Sequence, residues 1–149
     1  MQYTMKKFGE LTNTELYRLL QLRQEVFIIE QTCIYPDMDD KDQSAYHLMV
    51  FDQGNMLGCL RILEKDVSFK EAAIGRVIVS KPNRQKGIAK EMMLQALDFI
   101  RQELKERHVR ISAQVVAIPF YQNMGFEVVS EEYLEDDIPH VEMLCELAE

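Results

Sequence analysis

The sequence is poor in the residues that mark several common kinds of protein. It has three cysteines, Cys33, Cys59 and Cys145, odd in number and far apart. That excludes a disulfide framework and offers no metal-ligand spacing, so they read as small buried hydrophobes. His47, His108 and His140 are equally scattered, and no metal site is expected. No apolar run approaches the length of a membrane span. The start, MQYTMKKFGE, lacks an apolar signal core, so a cytoplasmic location is expected. Cations are short as well: 17 Lys and Arg stand against 25 Asp and Glu, a net charge of −8. Nucleic-acid binding over a broad face needs the opposite balance. Repeats, linkers and low-complexity segments are absent.

What remains is an ordinary soluble composition, 47% hydrophobic and 28% charged, over 149 residues. One domain spanning 1–149 with its own core is expected. Residues 2–8 read as a strand. TNTELYRLLQLRQEVFIIEQ reads as a helix capped by Thr12 or Asn13. AYHLMVF and NMLGCLRILE read as strands about the turn DQGN, and AAIGRVIVS as another. A long helix is expected over 85–107, from apolar residues every fourth position at Ile88, Met92, Ala96, Ile100 and Leu104. HVRISAQVV is a strand, AIPFYQNM a short helix, and FEVVSEEYL and HVEMLCEL are closing strands. The order implies an α+β fold, helices packed on one mixed sheet.

The cations that do cluster are Lys81, Arg84, Lys86 and Lys90, around Gly87 at the expected start of the long helix. Free N–H groups and the helix dipole make such a place an anion site, and a glycine lets a ligand approach the backbone. The alternative is a charged helix start whose glycine only eases a turn. The Gly-Lys-Ser/Thr ending of an ATP loop and the three spaced glycines of a dinucleotide fold are both missing.

Charge also falls on apolar faces. The inward stripe of the first helix reads Leu16, Leu19, Leu20, Arg23, Val26, Phe27, Glu30. Arg61 shares a strand face with Leu57, Cys59 and Leu63, and Arg76 one with Ile74 and Ile78. Buried unpaired charge is costly, so these arginines need anions. In one reading Glu30 and Glu142 neutralise them in a structural network. In the other, Arg23, Arg61, Arg76 and Glu142 line a substrate pocket in which Glu30 takes part in catalysis. His140, at the start of the last strand and facing away from Val141, Met143 and Cys145, is a candidate base because imidazole titrates near neutrality. Tyr121 lies on the stripe Ala117, Phe120, Tyr121, Met124, a core pattern that still allows its hydroxyl to reach a cleft. The acidic run from Glu131 to Asp137 reads as a solvated loop able to attract a cationic amine.

Val77-Ile78-Val79 followed by Arg84-Gln85-Lys86-Gly87-Ile88-Ala89 resembles the acetyl-coenzyme A signature of the GNAT superfamily of N-acetyltransferases. AQVVAIPFYQNMGF resembles that superfamily's second signature, with Gln114 where Asn is common. LLQLRQEVFIIEQ, IGRVIVS and DDIPHVEM are similar to its ElaA-type branch, so the resemblance runs over roughly 16–143. It implies a mixed sheet of about seven strands, the fourth and fifth splayed. Ile78 and Val79 would then meet the pantetheine arm, and Arg84, Gln85, Lys86, Gly87, Ile88 and Ala89 the pyrophosphate. Gln114 and Phe120 are further cofactor contacts, and Tyr121 is the proton donor to the leaving sulfur. The expected activity is acetyl transfer from acetyl-coenzyme A to an amine by direct attack, with no membrane or nucleic-acid partner. A coenzyme A-binding sensor without turnover is the rival. Relatives of this kind are often homodimers.

Overall fold

The computed structural model describes residues 1–148. Strand β1 (Gln2–Lys7) leads through a 3₁₀ turn into helix α1 (Asn13–Arg23). Thr12 caps that helix: its hydroxyl accepts from the Glu15 N–H at 3.0 Å, and Glu15 accepts from the Thr12 N–H at 2.8 Å. This reciprocal pair satisfies two N–H groups that otherwise lack acceptors. The helix does not continue as α to Gln31. It widens into π geometry over Gln24–Glu30. Each π hydrogen bond spans one residue more than an α bond, so the expected α period fails after Arg23. Leu19, Leu22, Arg23 and Val26 are buried, while Glu30 is exposed rather than inward.

Strands β2 (Tyr46–Asp52) and β3 (Asn55–Leu63) form a hairpin about Gln53 and Gly54, both at positive φ, the geometry that matches strand twist. Strand β4 (Ala72–Val79) pairs antiparallel with β3. Helix α2 (Ile88–Gln102) is shorter than expected at both ends; at its start Gly87, at φ +80°, turns the chain immediately before it. Then come β5 (His108–Gln114), a 3₁₀ turn, and helix α3 (Ile118–Gln122) with Pro119 in its first turn. The next expected strand is two, β6 (Phe126–Val128) and β7 (Tyr133–Glu135), both paired with β8 (Ile138–Glu146). Asp136 and Asp137, both at positive φ, close the β7–β8 hairpin. The split makes eight strands, ordered β1-β2-β3-β4-β5-β8-β6 with β7 also on β8.

Helices cover both faces of this sheet. On one, Met92, Met93, Ala96 and Ile100 of α2 pack on Leu48, Leu60, Ile62 and Ile111. On the other, Leu19, Leu22 and Val26 pack on Met49, Cys59 and Ile78. Two register shifts alter the expected faces. Between Cys59↔Ile78 and Arg61↔Gly75, β4 carries one extra residue, and Arg76 there has φ +53°. The bulge sends Ile74 to the α2 core and Ile78 to the α1 core, so they do not share a face. A second shift beside Val50 separates Leu57 from Cys59 in the same way. Among the described residues no helix is long and apolar enough to cross a membrane.

Candidate active site

Strands β4 and β5 run parallel only at Ala72↔Val109 and Ala73↔Arg110, then part. The gap is a cleft of about 310 Å³, with Ile74 to Val79 on one wall and Ile111 to Gln114 on the other. Sheet twist alone does not open a sheet this way. The β4 bulge at Arg76 bends the strand, and the π segment, through Val26, Phe27 and Glu30, and α3, through Tyr121, line the opening. Beyond Ala73, the β5-facing edge of β4 has no strand partner, so its main chain is free to pair with an extended ligand.

At the end of the β4 wall the chain passes through Arg84 and Gln85, the latter at φ +63°, to Gly87. The N–H of Glu91 bonds the Gly87 carbonyl at 3.1 Å. The N–H groups of Ile88, Ala89 and Lys90 therefore fall in the first turn of α2, where no intrahelical acceptor exists. A Cβ built on Gly87 would meet nothing within 4 Å, so the space over this turn is open. Among the described residues Lys86 bonds only Asn83, at 3.4 Å. These are the parts of an anion cradle, and coenzyme A phosphates fit them in charge and in donor supply. The Ile88 side chain is buried in the core, so only its backbone is available.

Arg84 is held differently. Its Nε donates to the Val79 carbonyl at 2.9 Å, and its two terminal nitrogens donate to the Glu30 carboxylate at 2.6 and 2.8 Å. The next residue, Gln31, accepts from the Gln114 amide at 3.4 Å. The end of the π segment thus grips both walls of the cleft through two adjacent residues. Glu30 is not the anion of the inward arginines.

Those anions are Asp37, Asp39 and Asp42. Arg23, 1% exposed, donates to Asp37 and Asp42, both at 2.8 Å. Arg61 donates to Asp42 at 3.0 Å and to both oxygens of Asp39. The Arg76 Nε lies 2.9 Å from Asp37, and a terminal nitrogen donates to the Asp37 carbonyl, also at 2.9 Å. Its guanidinium sits over the rings of Phe27 and Tyr35. Burial alone would raise the Asp42 carboxyl, but hydrogen bonds and charge from Arg23 and Arg61 outweigh it and hold it low. Asp39 is depressed likewise: hydrogen bonds and charge from Arg61, with help from Arg76, overcome its burial. Glu142 belongs elsewhere: it accepts from Arg110 at 2.9 Å, and Arg110 also bonds Glu71. Neither glutamate proposed from the sequence neutralises the inward arginines. The true partners lay in the acidic run PDMDDKDQ, and the demand of three inward arginines for three anions was the signal for them.

Tyr121 lines the cleft from α3. Burial pushes its hydroxyl up to about 12, and among the described residues nothing hydrogen-bonds it. Phe120 stands behind it, edge-on with ring centroids 5.1 Å apart, and does not form the cleft wall. His140 lines the opposite side: Nδ1 is 2.7 Å from the Ile138 carbonyl and Nε2 is 3.4 Å from Glu135. The carbonyl can only accept, so Nδ1 carries a proton, and in the neutral ring the lone pair is on Nε2. Glu135, assigned from sequence to a solvated loop, is beside that nitrogen. Cys33, expected to be buried, is half-buried on the cleft wall.

The family described as an acetyltransferase (GNAT) domain matches residues 11–147. The chain belongs to the GNAT acetyltransferase family. Within that family it is similar to a UPF0039 protein of Schizosaccharomyces pombe, 38% identical over 99% of this chain and 98% of the relative. ElaA of Escherichia coli is 36% identical over 93% of this chain and 92% of its own, and its crystal structure superposes with a TM-score of 0.91. An acyl-CoA N-acyltransferase from Pseudomonas aeruginosa superposes equally well, TM-score 0.91, at 39% identity over 97% of this chain and 98% of that one. The GNAT fold, with its parting of β4 from β5, and the ElaA-like branch are therefore those of this chain.

Proposed function

We propose that this GNAT protein transfers an acetyl group from acetyl-coenzyme A to a primary amine by direct attack. The observation that carries this reading is the Tyr121 hydroxyl: on the wall of the parted strands, protonated at neutral pH, and without a hydrogen-bond partner in the described protein. The fold leaves this hydroxyl uncommitted, so it can bond a molecule that enters the cleft.

When bound, acetyl-coenzyme A supplies a thioester, an acyl group already activated toward amines. The free edge of β4 at Ile78 and Val79 offers main-chain donors and acceptors to its amide-bearing arm. The N–H groups at the start of α2, with Lys86 nearby, suit its phosphates. Tyr121 holds a proton on Oη for the departing thiolate. His140 takes the amine's proton on Nε2, its ring fixed by the Ile138 carbonyl, and Glu135 at 3.4 Å offsets the charge that forms. Glu30 is not the base, because Arg84 occupies both its oxygens and keeps it ionised. A covalent acyl-cysteine is disfavoured. Burial pushes the Cys59 thiol up to about 12 and raises Cys145 as well, and the Cys33 sulfur faces a carbonyl, that of Asp136, at 3.3 Å.

Thiol release from acetyl-coenzyme A, measured with a panel of amines, tests the reading. Amine-dependent release is expected, and it should survive Cys33→Ala. Tight binding of coenzyme A with no release for any amine would overturn catalysis and leave a coenzyme A-binding module.

A further inference from the structure

Beside the cleft lies a second compartment of about 410 Å³, continuous with it through Arg76, Ser112 and Glu135, which line both. Arg61, Arg76 and Asp39 belong to the three-arginine, three-aspartate network, whose formal charges cancel. What remains is uneven. On one side Lys41 has no carboxylate within ion-pair distance among the described residues, and its ammonium donates only to the Ser68 hydroxyl at 2.7 Å. On the other, Glu135 and Asp136 have no lysine or arginine partner among the described residues, and Glu135 stands beside His140. Leu63, Phe69 and Pro36 contribute apolar wall. Arg61, 4% exposed, also lines the compartment, its terminal nitrogens held by Asp39 and Asp42.

We propose that this compartment takes a small amino acid as acceptor, its amine toward His140 and Glu135 and its carboxylate toward Lys41 and Ser68. The inference rests on the acetyltransfer reading and names its substrate class. The same charge layout disfavours long polyamines, whose second ammonium would meet Lys41. The volume accommodates an amino acid, and the apolar wall favours an uncharged side chain.

Calorimetric titration of the full chain with the common L-amino acids, coenzyme A present, tests this without requiring turnover. At least one amino acid with an apolar side chain should bind. Its decarboxylated amine should bind about tenfold more weakly or worse, as loss of a charge-assisted contact implies. Lys41→Met should weaken the amino acid by a similar factor and leave the amine unchanged, while Lys41→Arg should restore most of the loss. Ser68→Ala, which keeps the lysine, serves if Lys41→Met does not fold, and should weaken the amino acid alone. Absence of amino-acid binding, equal binding of acid and amine, or wild-type binding by a folded Lys41 variant would each overturn the proposal. Thiol release driven by carboxylate-free amines would then show the acetyltransfer reading still standing. Amino-acid binding without thiol release would show the reverse.

Discussion

The Glu30 carboxylate holds the Arg84 guanidinium through two parallel hydrogen bonds of 2.6 and 2.8 Å, joining the end of the π segment to the turn before α2. The pair is about one-third exposed on each side, so its Coulomb gain is screened and it contributes at most about 1 kcal/mol to stability. Glu30→Gln should therefore melt close to wild type. With Arg84 released to phosphates, coenzyme A affinity should rise a few-fold by calorimetry. A fall in affinity would show that Glu30 positions the cleft wall instead.

Asp42 is in the opposite position, buried between two arginines. Asp42→Asn leaves Arg23 and Arg61 sharing too little negative charge in a dry site. Removing one partner of such a buried pair costs about 3–5 kcal/mol. Chemical denaturation should record a loss of that size, and a loss below about 1 kcal/mol would refute the structural role of the network.

Acid should destabilise the protein in two steps. His47 is buried against the Asp42 carbonyl, its Nδ1 unpartnered, and burial lowers its pKa below the unfolded value near ~6.5. The unfolded chain then binds the proton first, so stability is lost as pH falls from about 6.5 toward the folded pKa. Asp39 and Asp42, both depressed when folded, add a second loss as pH falls below the unfolded value near ~3.9. Denaturant melts from pH 8 downward should show both steps, and His47→Gln should remove only the first.

Tyr121→Phe keeps the ring packed edge-on against Phe120 and Phe126 and removes a hydroxyl that the described protein does not bond. The melting curve should match wild type, while kcat falls by about 10²–10⁴ with cofactor affinity nearly unchanged. Turnover within a few-fold of wild type, with chemistry rate-limiting, would remove Tyr121 from the mechanism.

Gly87 sits at φ +80° with open space where a Cβ would stand. A β-branched residue there would strain the backbone whatever the ligand does. Asn tolerates the left-handed region, so Gly87→Asn should fold normally and isolate the effect on approach to the cradle. Coenzyme A affinity should drop at least about tenfold. Unchanged affinity would assign the glycine to turn geometry alone.

The sequence by itself determined the local elements and the two signatures. Apolar spacing located α2, Thr12 announced the cap of α1, and Gly87 marked the turn into α2, because these depend on residues within one or two turns of each other. It also showed that Arg23, Arg61 and Arg76 needed anions. Which anions they find was decided only in three dimensions. Asp37, Asp39 and Asp42 come from an irregular segment with no period to read, and Glu30 was mis-aimed because a π turn shifts the helical phase. The β4 bulge at Arg76 reversed the faces of Ile74 and Ile78, which strict alternation cannot foresee. His140 met Glu135 through a hairpin, and Lys41 met Ser68 across 27 residues of chain. Side-chain periodicity records only which way a residue points from its own element. Partners across a cleft are set by how elements bend and dock, and that is a property of the tertiary structure alone.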